Sequence, residues 1–209
     1  MSALDGWLER LSARRAADLP APIQVMERAA SDISPDEVLG ETATLGAGCF
    51  WCLDAAARRT EGILSSIAGY AGGASAPLDY YDFHRDTRGN VEAVELIFDP
   101  GLIDFGAILD LFFRSHDPTT PNQDGANRGP EYHSTIFYHS DEQHRIAQGA
   151  VARYEAIFEK PVVTSVLPFT SFFPAEKDHQ DFFTQNPTHP YCTFVVVPKL
   201  RKILSSNDR

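Results

Sequence analysis

Apolar and polar positions alternate most regularly along Val91-Glu92-Ala93-Val94-Glu95-Leu96-Ile97-Phe98. This run reads as a strand with Glu92, Val94, Leu96 and Phe98 on one face and Val91, Ala93, Glu95 and Ile97 on the other. Strand-like runs also occupy Thr42–Leu45, Ile63–Ala68, Ser134–Tyr138 and Pro161–Pro168, the second ended by Gly69-Tyr70-Ala71-Gly72-Gly73. Helical composition or spacing marks Leu53–Arg59, Phe105–Phe113, a stretch from Ser140 or Asp141 to about Phe158, and a short segment Ala175–Phe183. Ser140, ahead of Asp141, Glu142 and Gln143, supplies a cap for the longest of these. From Asp117 to His133 the chain reads as a long loop rich in Pro and Gly, and loops of that length in compact domains often line a site. The tail Pro190–Pro198 reads as an extended run with Cys192 near its start. Strands alternating with helices predict one mixed α/β sheet.

Ahead of this pattern, Leu4, Trp7, Leu8, Leu11 and Leu19 recur near helical spacing until Pro20-Ala21-Pro22 breaks it. Residues 1–40 therefore read as an N-terminal helical extension on a domain spanning 41–209, with a second helical stretch beginning after Ser34-Pro35-Asp36-Glu37. A chain of 209 residues suffices for a substantial single core, and 43% hydrophobic with 22% charged residues is the composition of a soluble globular protein. The net charge of −11 disfavours nucleic acid and anionic membrane as partners. No run resembles a transmembrane span or a secretory leader, so a reducing cytoplasm is expected. Three cysteines do not make a disulfide framework, and in that compartment they point to chemistry.

The chemistry concentrates at Gly46-Ala47-Gly48-Cys49-Phe50-Trp51-Cys52, which places Cys49 where a strand turns into a helix. Backbone amides and the positive end of the helix dipole favour a thiolate there, and the thiolate is the attacking form. The glycines suit a tight turn, and Phe50 and Trp51 flank the sulfur, so a wet, ionised, aromatic-flanked thiol is expected. A buried structural thiol fits the same residues when taken alone. Cys49 and Cys52 form a C-x-x-C, but with only Cys192 remaining and no histidine at ligand spacing, no metal is expected.

Two further features carry chemistry. If the Glu92 face of its strand is the core face, desolvation raises its pKa and keeps it protonated, as a proton donor must be; otherwise it reaches solvent. Tyr80, Tyr81, Phe83 and His84 lie in a polar, aromatic loop of the kind that displays binding groups, although tyrosines there more often pack with a wet hydroxyl. His179 reads as a structural hydrogen-bonder rather than a base.

Several ordered segments resemble the peptide methionine sulfoxide reductases of the A class, specific for the S epimer. They are Gly48-Cys49-Phe50-Trp51, Gly69-Tyr70-Ala71-Gly72-Gly73, Glu92-Ala93-Val94, His116-Asp117-Pro118-Thr119-Thr120, Phe173-Pro174-Ala175-Glu176 with His179-Gln180, and Pro190-Tyr191-Cys192. The resemblance runs from about Ala43 to Lys202. It implies a mixed α/β sandwich with a split βαβ, ferredoxin-like core and flanking helices, no cofactor, and a monomer. It implies Cys49 as nucleophile, Glu92 as the acid that protonates the sulfoxide oxygen, Tyr80 and Tyr132 as hydrogen-bond donors to that oxygen, and Phe50 and Trp51 as walls of the S-methyl pocket. The substrate so implied is methionine sulfoxide, free or in oxidised proteins, and thioredoxin is the implied reductant.

A sulfenic acid on Cys49 would condense with a second thiol. Cys192, matching a family position near the C-terminus, is expected to resolve it first, with Cys52 as a second relay or the direct resolver. This chain departs from the family at Asn127, where an aspartate is usual, at Asn90-Val91 ahead of Glu92, and at Pro130-Glu131 ahead of Tyr132. Altered rate or substrate preference is expected from these. Competing readings are a dithiol–disulfide oxidoreductase using Cys49 and Cys52, and a degenerate homologue that only binds oxidised methionine.

Overall fold

A computed structural model describes residues 40–204. The helices expected within residues 1–40 fall outside the described residues. In chain order come β1 (Glu41–Gly46), α1 (Phe50–Ala57), β2 (Ile63–Ala71), α2 (Tyr80–Phe83), β3 (Val91–Phe98) and α3 (Phe105–Ser115). The short strands β4 (Gln123–Asp124) and β5 (Asn127–Arg128) and a 3-10 turn at Pro130–Tyr132 follow, then β6 (Thr135–Tyr138) and α4 (Asp141–Glu155). Next are β7 (Ser165–Pro168), β8 (Phe172–Pro174), a 3-10 turn at Lys177–His179 and α5 (Phe182–Gln185). A π-helical turn at Cys192–Val196 runs into α6 (Val197–Leu204).

Six strands form one sheet in the order β7-β6-β1-β3-β2-β8. Only β6 and β7 pair in parallel; every other neighbouring pair is antiparallel. Since β3 lies between β1 and β2 and opposes both, β1-α1-β2 is a split βαβ unit, and the architecture is the expected mixed α/β sandwich.

The core lies between the sheet and α1, α3 and the C-terminal helical segment. From α3, Phe105, Ile108, Leu109, Phe112 and Phe113 are buried, and each such side chain contributes roughly 1.5–3 kcal/mol. Ala55, Ala56 and Ala57 let α1 approach β2 and β3 closely, and Asp54 staples it there. The Asp54 carboxylate accepts from Arg58 Nε at 2.9 Å and from Ser66 Oγ at 2.6 Å.

The tail differs from expectation. Cys192 to Val197 is helical rather than extended, although valines favour strands locally. Cys192, Val196, Leu200 and Ile203 recur every three or four residues, so a helix buries all four against the core, which an extended chain cannot do. The expected strand Pro161–Pro168 is paired only over Ser165–Pro168, and the expected short helix Ala175–Phe183 is replaced by a 3-10 turn and α5. The loop carrying Tyr80 and Phe83 contains a helical turn, capped by Asp79, whose carboxylate accepts from the Asp82 amide.

Strand register positions the site. Leu45 pairs with Val94, which brings the end of β1 alongside the start of β3. The turn from β1 into α1 therefore passes Glu92.

Candidate active site

Cys49 occupies the N-cap position of α1 in an extended conformation, one residue after Gly48 at φ +70°. A side chain at Gly48 would collide with Asp124, so the turn that presents the sulfur requires glycine. The Cys52 amide donates to the Cys49 carbonyl at 3.2 Å, and the two thiols hydrogen-bond to each other.

The thiol is neither wet nor readily ionised, contrary to expectation. Cys49 is only 5% exposed. Burial pushes its pKa well above the ordinary thiol range, with the Cys52 hydrogen bond and the Glu92 carboxyl adding to the rise, and the Tyr191 hydroxyl opposing it. Cys52 moves the other way: its hydrogen bond with Cys49 pulls it down against its own burial, helped by the Lys199 ammonium. That ammonium is fixed by both oxygens of the buried Asp124, at 2.6 and 2.8 Å.

Glu92 faces the core with Val94, Leu96 and Phe98 and is 1% exposed. Burial pushes its pKa up to about 8, although the Phe50 amide, donating to Oε2 at 3.0 Å, holds it down in part. A neutral carboxylic acid at neutral pH thus lies one residue from the Cys49 backbone. Tyr80 and Tyr132 are half-buried, and burial followed by the Glu92 charge pushes both phenols up, so both remain O–H donors. Glu176 anchors Tyr80 by accepting from its amide at 2.6 Å and from the Tyr70 hydroxyl at 3.0 Å.

Rings close the site. Trp51 stacks on Phe182 with centroids 3.8 Å apart and meets Tyr191 edge-on at 5.4 Å. His179 stacks on Tyr80 at 4.4 Å and on Trp51 at 5.6 Å. It serves as an aromatic wall, not the expected hydrogen-bonder: its buried Nδ1 has no hydrogen-bond partner among the described residues, and burial lowers its pKa. Phe50 lies beneath this wall at 1% exposure, packed on Tyr70 and His179, whereas Trp51 is partly exposed.

Asn127 Nδ2 donates to the Tyr191 hydroxyl at 2.9 Å, which links the departing position to Cys49 through Tyr191. Cys192 is fully buried, and burial pushes its thiol up to about 11. Sequence reasoning missed Tyr191, the Asp124–Lys199 pair, and a contact between His84 and Glu131, whose atoms Nδ1 and Oε1 lie 3.1 Å apart. Glu131 and Tyr191 were visible only as a departure and as part of a motif; their partners are 47 and 64 residues away along the chain.

The family model described as peptide methionine sulfoxide reductase matches residues 41–209. The chain is 44% identical over 162 residues to the peptide methionine sulfoxide reductase MsrA of Thermus thermophilus, covering 78% of this chain and 92% of that protein. Among solved structures, reduced Mxr1 of Saccharomyces cerevisiae superposes with a TM-score of 0.70 at 27% identity, covering 78% of this chain and 92% of the other. Mxr1 in complex with Trx2 shares the fold at a TM-score of 0.52 and 24% identity, covering 72% and 89%.

Proposed function

Because the chain belongs to the peptide methionine sulfoxide reductase family, A class, we propose that it reduces the S epimer of methionine sulfoxide with Cys49 as nucleophile and Glu92 as acid. The observation that carries this assignment of roles is the buried Glu92 carboxyl, protonated up to about pH 8 and bonded to the amide of the residue after Cys49. A sulfoxide is a poor electrophile until its oxygen is protonated or strongly hydrogen-bonded. Glu92 gives the oxygen a proton while the Tyr80 and Tyr132 hydroxyls donate to it. The oxygen passes to the Cys49 sulfur, so that thiol plus sulfoxide becomes sulfenic acid plus methionine, with the substrate sulfur reduced by two electrons. Trp51 and the rings around it hold the S-methyl group, with Phe50 as the floor beneath them.

In the second half-reaction, Cys52 attacks the sulfenic acid, forming the S–S bond and expelling water. Two features support Cys52 as first resolver in place of Cys192. Its thiol already hydrogen-bonds to Cys49 and is the more easily ionised of the pair, whereas the Cys192 thiol, equally buried, is pushed up to about 11. Cys192 then serves as the second relay. A dithiol reductant reopens the disulfide by exchange. Thioredoxin fits that need, and the solved complex of the structurally similar Mxr1 with Trx2 supports a partner of this kind. A reducing cytoplasm suits such a cycle, and among the described residues no helix is long and apolar enough to cross a membrane.

The test supplies racemic N-acetyl-methionine sulfoxide and dithiothreitol. Loss of the S epimer alone is expected, and Cys49→Ser abolishes it. Full turnover by that variant removes Cys49 from the role. Mass mapping after one equivalent of substrate is expected to find a Cys49–Cys52 link first; a Cys49–Cys192 link as the first product restores the other order.

A further inference from the structure

The geometry points to His84 and Glu131 as a positioning pair that returns protons to Glu92 between the two halves of the cycle. The inference rests on the reading of Glu92 as the acid. Glu92 is sealed from water, yet oxygen takes a proton from it twice: once on becoming the sulfenic hydroxyl, again on leaving as water. Cys49 loses one balancing proton as its sulfur takes the oxygen and Cys52 loses the other as the two sulfurs join, so none is consumed overall. The Glu92 carboxylate must nevertheless be recharged through a neighbour before the second half-reaction.

His84 reaches both the carboxyl and solvent. Its Nε2 lies 3.9 Å from Glu92 Oε1, its Nδ1 lies 3.1 Å from Glu131 Oε1, and its side chain is 25% exposed. Glu131 fixes the tautomer by accepting from Nδ1–H, which leaves Nε2 facing Glu92, and its carboxylate stabilises the imidazolium when that forms. The imidazolium then passes its Nε2 proton to the Glu92 carboxylate, leaving a neutral ring and a neutral acid, and the ring regains a proton from solvent. The 3.9 Å gap exceeds a hydrogen bond, a looseness usual before substrate fills a site.

The pair is built into the fold. Glu131 is buried, and its carboxyl folds over Gly129, at φ +152°, where any side chain would occupy the same space. The Tyr80 ring meets His84 edge-on at 4.3 Å, and Phe83 and Tyr132 lie at 5.4 and 6.1 Å, fixing the plane of the imidazole. The titratable groups facing His84 are Glu92 from β3, Glu131 and Tyr132 from the 3-10 turn, Tyr80 from α2, and His179, which feels its charge.

The experiment follows one turnover of N-acetyl-methionine S-sulfoxide in the full chain, His84→Ala and Glu131→Gln from pH 6 to 9. Methionine release and disulfide formation are timed separately, and sulfenic acid is trapped with dimedone. In His84→Ala, methionine release at pH 7 stays within about threefold of wild type. Disulfide formation slows about ten- to a hundredfold, trappable sulfenic acid accumulates, the deficit widens as pH rises, and added imidazole restores the rate. Glu131→Gln shows the same pattern more weakly and decides alone if His84→Ala does not fold. Equal slowing of both halves, a pH-independent loss, or indifference to imidazole in folded His84→Ala overturns the pair's role, as does a wild-type profile in Glu131→Gln. A wild-type protein that leaves the S-sulfoxide intact overturns the reductase reading itself, and this inference with it.

Discussion

The amide of Phe50 donates to Glu92 Oε2 at 3.0 Å, so the first helical N–H beyond Cys49 serves the carboxyl and not the sulfur. This bond reverses the usual lesson of a cysteine at a helix start. The helix stabilises charge on the carboxyl, while burial keeps the Cys49 proton in place. Two neutral acids therefore lie side by side, and the proposed reaction requires one to ionise and the other to give up its proton.

The pH dependence of Glu92 has a definite sign. Its proton is held more tightly folded, at about 8, than at the ordinary 4.5, so its contribution to stability is complete below about pH 4.5 and is lost as pH rises through 8. Glu92→Gln stays neutral and is expected to be the more stable protein at pH 9, by roughly 5 kcal/mol relative to the comparison at pH 4. Denaturant titrations at the two pH values check this. In activity, wild-type kcat/KM falls above about pH 8, and Glu92→Gln loses about a hundredfold or more with no such limb.

Tyr191 lowers the Cys49 pKa through its hydroxyl. Tyr191→Phe is expected to slow iodoacetamide alkylation of Cys49 at pH 8 by about tenfold, the size of one hydrogen bond to a charged sulfur. Asn127→Asp acts in the same direction, because an aspartate cannot donate as Asn127 does and instead draws the Tyr191 proton towards itself. Faster alkylation in either variant contradicts the Asn127–Tyr191–Cys49 chain.

Gly48 and Gly125 both sit at positive φ, +70° and +61°, but only at Gly48 is the space beside the backbone filled, by Asp124. Gly48→Ala is expected to cost about 3 kcal/mol and Gly125→Ala about 1 kcal/mol. Thermal melts should separate the two by roughly 4–8 °C. Equal melting temperatures remove the collision with Asp124 from the explanation.

Leu200 is fully buried where α6 packs into the core. Leu200→Ala leaves a cavity worth about 2–5 kcal/mol and is expected to expose the neighbouring helical turn, so that Cys192 reacts faster with a thiol reagent under native conditions. Unchanged Cys192 reactivity in a destabilised variant separates the turn from the helix that follows it.

What could be read from the sequence was what short-range patterns determine. The alternation along Val91–Phe98 gave the strand boundaries and placed Glu92 on one face with Val94, Leu96 and Phe98, but it left open whether that face was the core, because Val91, Ala93 and Ile97 make the other face apolar too. The Cys49 turn and the Ser140 cap were equally local. The tail misled because its valines favour strands locally, while the spacing from Cys192 to Ile203 that makes it helical shows only in the longer window. The state of the Cys49 thiol was not legible either. A helix N-terminus is visible in sequence, but the burial that outweighs it comes from segments far along the chain, among them the one carrying Tyr191. His84 and Glu131 meet across 47 positions, and no pattern in either neighbourhood announces the partner.

Lys199 grips both oxygens of Asp124, and Asp124 in turn fills the space against Gly48. The last helix among the described residues is thereby buckled to the turn that carries the Cys49 sulfur. Cutting the chain ahead of residue 199 would take that ammonium away and strand a buried carboxyl against the turn. The C-terminal segment thus reaches that turn by two polar links, the Lys199 ammonium through Asp124 and the Tyr191 hydroxyl at the Cys49 thiol.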